Sequence, residues 1–219
     1  MKKIYLALTF IAASIIQLSL ALDLPKNMTL EYSGPYGIPA KLTFKHDHKN
    51  YAIETTIPIP FNRMQFKASG TIHNNPLLPT EYLVLRDKNL YASSVFDYAN
   101  NLITVGRLPT RNTSKLPKNT QDLFSIAWQM AINTGLPNKN THATDGKRLY
   151  ELPTLNSITP KTQTINGKKQ SIPYFKGGEG NRQLEIGLAQ ALHYVPSIIV
   201  YYDKGKRYEL TLKRVTFND

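Results

Sequence analysis

Alternation of apolar and polar residues at a period of two is the feature that most limits what this chain can fold into. In the segment 41–45, Leu42 and Phe44 share one side of an extended backbone, and Lys and Thr side chains take the other. The same pattern returns around residues 51–57 and 208–213. Strands with one apolar and one polar side are typical of an antiparallel sheet that has one face in water.

Turn signals between these runs predict consecutive hairpins. Asn166-Gly167 is the strongest of them, because both residue types tolerate positive φ. Residues 46–50, 177–180 and 203–206 are also rich in turn-forming residues. We therefore expect roughly ten antiparallel strands in a meander, and this sheet should curl because strands twist.

Residues 121–133, QDLFSIAWQMAIN, do not alternate and predict one helix. Their polar members form one narrow stripe: Asp122, Ser125 and Gln129. A helix that is apolar over most of its surface is buried. We expect Asn119 or Thr120 to cap its N-terminus, with Asp122 in the first turn favouring the helix dipole.

The fold class that follows is mainly β: an antiparallel curved sheet or half-barrel with one buried helix near residues 121–133. The length of 219 residues and the hydrophobic content of 41% are enough for one sizeable core. Any part of the concave face that the helix leaves uncovered is a candidate ligand cavity. Phe124 and Trp128 share a face of this helix, and they either pack in the core or line such a cavity. We take both as candidate ligand-binding residues.

The first 21 residues have the pattern of a signal peptide. Lys2 and Lys3 precede an apolar run from Ile4 to Leu20, and small residues lead up to Ala21. We expect cleavage after Ala21, which leaves residues 22–219 as a single β-rich domain without a transmembrane helix. An uncleaved membrane anchor is the alternative. Export from a Gram-negative bacterium would place the protein in the periplasm or at the outer membrane.

Five pieces of the chain carry a resemblance to a known family. In order they are YGIPAKLTFKHDHKNYAIE, PLLPTEYLVLRD, VFDY at 95–98, the QDLFSIAWQM helix and the ending YVPSIIVYYDKGKRYELTLKRV. Together they resemble domain-of-unknown-function family 3108 of exported bacterial proteins, over nearly all of residues 28–215. The resemblance implies an exported, β-rich protein of a Gram-negative bacterium, and it carries over no catalytic residue.

No residue pattern points to catalysis or to a cofactor. The chain has no cysteine, which excludes a disulfide, a thiol nucleophile and a cysteine zinc site. His46 and His48 would supply two metal ligands, whereas a closed structural site usually needs about four. There is no GxSxG elbow, HExxH helix or Walker phosphate loop. Ser125 shares a helix face with Asp122, an arrangement more often structural than nucleophilic, so we assign no catalytic residue, metal or cofactor.

The charge distribution suggests a basic surface. The chain has 27 basic and 15 acidic residues, and segments 98–121 and 152–178 contain no acid at all. Candidate members of the basic surface are Arg107, Arg111, Lys115, Lys118, Lys168 and Lys169. Such a surface could attract anionic head groups, or it could be a generally basic exterior. Nucleic acid is not an expected partner, because export removes the chain from it.

The function that these observations favour is that of a noncatalytic periplasmic or envelope protein that binds an apolar or amphipathic, lipid-like ligand. One alternative is an interaction or scaffold protein of the envelope with a filled core. The other is a hydrolase directed at the cell wall, which would need two carboxylates, or a Ser and a His, in one cleft. The space beside Trp128 should distinguish the three.

Overall fold

The computed structural model describes residues 24–59, 62–203 and 205–218. The predicted signal peptide, residues 1–21, lies outside them. The strands are β1 (Asn27–Ser33), β2 (Pro39–His46), β3 (Asn50–Ile59), β4 (Asn62–Ile72), β5 (Leu77–Arg86), β6 (Asn89–Asp97), β7 (Leu102–Arg107), β8 (Arg111–Lys115), β9 (Thr120–Asp122), β10 (His142–Thr144), β11 (Leu149–Glu151), β12 (Asn156–Ile165), β13 (Lys168–Gly177), β14 (Leu184–Ala189), β15 (Val195–Asp203) and β16 (Lys206–Phe217). The helix is α1 (Leu123–Ile132), and short 3-10 turns occupy Pro35–Gly37, Gly180–Arg182 and Gln190–Leu192.

Thirteen strands form one antiparallel sheet in the order β12-β13-β14-β15-β16-β1-β2-β3-β4-β5-β6-β7-β8. It consists of two runs of consecutive hairpins, β1–β8 and β12–β16, which meet where β1 pairs with β16. Between the runs the chain forms α1 and a small sheet of β9, β10 and β11. The predicted class, a mainly β protein with a curved antiparallel sheet and one helix, is confirmed.

The expected number of about ten strands is too low, because the described residues contain sixteen. Strand β8 reads Arg-Asn-Thr-Ser-Lys and is exposed throughout, so it has no apolar face to mark it. Strands β9, β10 and β11 have three residues each, which is too short to show a repeat of two. The strands that the alternation reveals are those with one face in the core.

One end of the sheet rolls back on itself. At the β12–β13 hairpin, the Asn166 side chain accepts a hydrogen bond from the Val215 N–H at 3.0 Å and donates to the Val215 carbonyl at 3.1 Å. Gln163 Nε2 donates to the Leu212 carbonyl at 2.6 Å. The sheet still does not close into a barrel, since β12 and β8 lie at opposite ends of the strand order. We call the concave side of this open, barrel-like sheet the trough.

Helix α1 lies in the trough and contacts both runs of strands. It packs against β5 from the first run and against β14 and β15 from the second. Every residue from Phe124 to Ala131 is buried. The Trp128 indole is fully buried and stacks on the Phe44 ring of β2, with ring centres 4.0 Å apart. The prediction of a buried helix is confirmed, and its packing joins the two runs.

The polar stripe of α1 is buried and hydrogen-bonded, and the helix cap is not the predicted one. Asp122, the last residue of β9, is the N-cap, and its Oδ1 accepts from the Phe124 and Ser125 N–H groups at 3.0 Å each. Asn119 precedes β9 and Thr120 is its first residue, so neither is adjacent to Leu123, the first helical residue, as an N-cap must be. At the other end of the stripe, Gln129 Oε1 accepts from the Leu77 N–H of β5 at 2.7 Å.

Replacing the buried indole should destabilise the fold strongly. We expect Trp128→Ala to lower the free energy of unfolding by about 3–5 kcal/mol, because it leaves a large void beside Phe44. Urea denaturation measures this. Leu136→Ala is the control: this side chain is 46% exposed, so its removal should cost less than about 0.5 kcal/mol. Comparable losses in the two variants would contradict the packing role of Trp128.

A candidate ligand-binding cavity

A cavity of about 300 Å³ lies at one end of the trough, where the β3–β4, β5–β6 and β15–β16 hairpins turn. We call it the mouth cavity. Ligand pockets typically measure about 300–1,000 Å³, so it is at the small end of that range. Both runs of strands and the first turn of α1 form its apolar wall, which includes Ile57, Met64, Phe66, Val84, Phe124 and Leu210.

The alternation of the strands positions this wall. Met64 and Phe66 of β4 pair with Arg86 and Val84 of β5, so all four side chains lie on the same face of the sheet. The β10–β11 loop then closes one side at Gly146, whose φ is +80°. A Cβ atom at this position would lie 2.9 Å from Val84 Cγ2. The loop therefore approaches the wall as closely as it does because this residue is glycine.

Six tyrosines contribute to the cavity lining: Tyr82, Tyr91, Tyr150, Tyr201, Tyr202 and Tyr208. Tyr201 and Tyr208 are cross-strand partners in β15 and β16, and their rings stack 5.1 Å apart. Burial raises the pKa of Tyr82 and Tyr150 far above the ordinary value, with nearby carboxylates adding to the effect. The hydroxyls of these two tyrosines are therefore neutral at physiological pH.

The charged groups of the mouth cavity have an excess of cations. Two carboxylates, Asp145 and Glu209, line it together with four cationic side chains, namely Arg86, Lys147, Arg148 and Arg182. Asp145 is paired with Lys147 at 3.7 Å and with Arg148 at 3.5 Å. Glu209 is paired with Arg207. Both carboxylates are therefore neutralised by neighbouring cations.

The structure separates the two candidate ligand-binding residues. Phe124 lines the mouth cavity, and its ring centre lies 5.6 Å from that of Phe66 and 6.4 Å from that of Tyr82. Trp128 is not part of the lining, because the space around its indole is filled by the core. The open space thus lies at the start of α1, one turn before Trp128. Ligand binding at Phe124 stays a prediction.

The six residues of the predicted basic surface do not lie together but at different ends and hairpins of the sheet. Arg107 and Arg111 flank the β7–β8 turn at the end of the sheet that holds the mouth cavity. The Arg107 guanidinium carbon lies 5.3 Å from the ring centre of Tyr91, a cavity residue. Lys115 and Lys118 lie at and beyond the opposite end of β8, and Lys168 and Lys169 lie at the tip of the β12–β13 hairpin. Lys118, beyond the end of β8, lines a second, smaller cavity of about 190 Å³.

Asp122, Ser125 and Tyr51 form a linear chain of hydrogen bonds that the core encloses. The Ser125 hydroxyl donates to Asp122 Oδ2 and lies 2.8 Å from the Tyr51 hydroxyl. Asp122 and Ser125 are fully buried, so Ser125 has no access to a substrate. Burial raises the pKa of Asp122 to about 6, although the hydrogen bonds from Ser125 and Phe124 oppose the shift. The arrangement is suited to capping α1 rather than to nucleophilic attack.

Metal ligands do not converge in the part of the chain that the structure describes. In residues 24–59, 62–203 and 205–218, no group of three or more His, Asp or Glu side chains is placed to bind a metal ion. His46 lies within 2.9 Å of the Leu24 carbonyl through Nε2. No helix among the same residues has the length and apolar character needed to cross a bilayer.

Comparison with known proteins supports the fold. No family model matches the chain, and no curated protein matches it. Among solved structures, it is similar to the β-barrel-like protein of domain of unknown function DUF1849 from Brucella abortus. The TM-score is 0.52 at 9% sequence identity, and the alignment covers 91% of this chain and 100% of that one. This likeness shows a shared β-barrel-like fold, and the narrower resemblance to family 3108 stays a prediction.

The buried carboxylate should make stability depend on pH. The pKa of Asp122 rises from 3.8 to about 6 on folding, so the folded state disfavours the ionised form. The contribution of Asp122 to stability should therefore be largest below about pH 4 and fall by about 3 kcal/mol as the pH rises to about 7. Asp122→Asn stays uncharged and retains an oxygen that can cap α1, so this variant should lack that decline. Urea unfolding across this pH range measures the difference.

Asp97→Asn provides the control for this prediction. Asp97 lies at the exposed end of β6, where hydrogen bonds from Asn100 lower its pKa below the ordinary value. It therefore titrates below the pH range of the experiment, and its variant should follow the wild-type slope. Parallel pH profiles for the wild type and Asp122→Asn would contradict the assignment.

Proposed function

We propose that this chain is a noncatalytic protein of the cell envelope that binds an apolar or amphipathic, lipid-like molecule. The observation that carries the proposal is the mouth cavity, with its apolar wall and its excess of cations. An apolar tail that enters it loses contact with water, which is worth about 25 cal/mol per Å² of apolar surface. The wall is built on paired strands and a buried helix, so little ordering is needed on binding.

The tyrosines of the wall support an amphipathic ligand in particular. A tyrosine ring offers an apolar face, and its hydroxyl tolerates contact with water. Tyr202, for example, lines the cavity, and its hydroxyl accepts a hydrogen bond from Gln183 Nε2 at 3.2 Å. Such a wall suits a molecule whose apolar part is enclosed while its polar part stays near solvent.

The cellular location is part of the proposal. The pattern of residues 1–21 and the resemblance to family 3108 both support export to the periplasm or the outer membrane. Arg107 and Arg111, at the same end of the sheet as the mouth cavity, would draw this end towards anionic head groups of a membrane. An envelope protein that delivers or receives the ligand would be a natural partner.

Binding is favoured over hydrolysis by the state of the cavity carboxylates. A glycoside hydrolase needs a general acid whose pKa is raised. Burial of Glu209 acts to raise its pKa, but hydrogen bonds from Thr211 and Arg207, together with the positive charges of Arg207 and Lys161, outweigh burial and lower the pKa. The other carboxylate, Asp145, accepts the backbone N–H groups of Lys147 and Arg148 and so shapes its own loop.

The open cavity also favours ligand binding over a scaffold with a filled core. An interaction surface would be expected to show a contiguous apolar patch. Among the exposed apolar side chains, Ile59 on β3, Ile158 on β12 and Phe217 on β16 lie on strands that are not neighbours in the sheet, whereas Leu90 and Val95 share β6 and Leu102 lies on the adjacent β7.

Native mass spectrometry of the protein purified from its own envelope should show a bound small molecule. Met64→Trp places a bulkier side chain in the cavity wall and should remove that adduct. Leu136→Trp adds the same ring at an exposed position outside the cavity and should retain it. In titrations with decanol, Met64→Trp should bind more than tenfold more weakly, because excluding two methylenes costs about 1.6 kcal/mol.

The proposal fails if neither measurement shows a ligand. It also fails if Met64→Trp keeps the adduct and the decanol affinity of the wild type, since the ligand would then lie elsewhere.

A further inference from the structure

We propose that the ligand of the mouth cavity is an amphiphile with an anionic head group, a carboxylate or a phosphate ester, and that Arg86 binds this head group. The inference rests on the proposed function, because it names the ligand class for the same cavity. It depends on which charges of the cavity are already paired and on how the Arg86 side chain is placed.

Two of the cavity's cations have no carboxylate partner among the residues that the structure describes. Asp145 forms ion pairs with Lys147 and Arg148, and Glu209 forms an ion pair with Arg207. In the described part of the chain, neither Arg86 nor Arg182 forms an ion pair. An anionic head group would therefore meet cations that are not yet neutralised, whereas a cationic head group would be repelled by them.

The geometry of Arg86 suits an oxyanion. Its guanidinium carbon lies 3.6 Å from the centre of the Tyr91 ring, which covers one face of the group. No hydrogen bond to a protein acceptor occupies its N–H groups among the described residues. A stacked guanidinium keeps its in-plane N–H groups free, and these donate in pairs to a carboxylate or phosphate. Arg107, on the same tyrosine at 5.3 Å, adds positive charge from outside the cavity.

The position of Arg86 also gives the ligand a direction. It is the last residue of β5, next to the hairpin turn, and it follows Tyr82 and Val84 along the same face. Alternate residues of a strand are about 6.6 Å apart, so Tyr82 lies roughly 13 Å deeper. Tyr82 contacts Phe124 at the start of α1. A head group at Arg86 therefore places an apolar tail along Val84 and Tyr82 towards Phe124.

The test compares ligands that share one tail and differ in the head group. Decanoate, decyl phosphate, decanol and decyltrimethylammonium are titrated by calorimetry at neutral pH and low salt, below their micelle concentrations. We expect both anions to bind about tenfold more tightly than decanol, because charged hydrogen bonds are about twice as strong as neutral ones. Decyltrimethylammonium should bind most weakly. A preference between the two anions identifies carboxylate or phosphate as the natural head group.

Variants then assign the effect to Arg86. Arg86→Gln should lower the affinity for both anions about tenfold and leave that for decanol unchanged. Arg182→Gln should have a smaller effect of the same sign. The matched control is Arg214→Gln, because Arg214 is exposed, pairs with Glu31 at 3.9 Å and lies outside the cavity. This control should bind all four ligands as the wild type does.

The outcomes separate this inference from the function on which it rests. If the four ligands bind equally well, or the cation binds best, the anionic head group is wrong and ligand binding stands. If none of them binds, decanol included, the proposed function fails and this inference with it. If Arg86→Gln weakens decanol as much as decanoate, Arg86 acts through packing, and its role in head-group binding is overturned.

Discussion

The packing of α1 between the two runs of hairpins is the contact on which the rest of the structure depends. A helix that is apolar on nearly all sides needs an apolar enclosure, and a curved sheet needs something to cover its inner face. Because α1 touches β5 on one side and β14 and β15 on the other, it sets the distance between the walls. The mouth cavity lies where α1 begins, because the trough beyond that point is not filled by the helix.

Asp122 links that packing to the start of the helix. It ends β9 and caps α1, so one residue fixes both the parallel pairing of β9 with β10 and the direction of the helix. Its carboxylate is buried at a cost, which the raised pKa expresses. The hydrogen bonds of Ser125 and the nearby Tyr51 hydroxyl give that carboxylate a polar surrounding inside an apolar trough.

Much of the fold could be predicted from the sequence, because most strands bury one face and so alternate. Asn166-Gly167 forms the expected hairpin turn, with φ of +51° and +76°. The site was harder to find. Phe124 and Trp128 look equivalent in the sequence, and only the tertiary position of Phe44 decides that Trp128 is enclosed. A search for acid-free basic segments also misses Arg86 and Arg182, since acidic residues lie close to both along the chain.

The pairing of β1 with β16 has a consequence for how the molecule can be attached. Met28 pairs with Phe217, so the first and last strands begin and end side by side. Both points lie at the end of the sheet away from the β3–β4 and β15–β16 turns. A tether, dye or solid support joined through either terminal strand therefore leaves the mouth cavity facing away from the point of attachment.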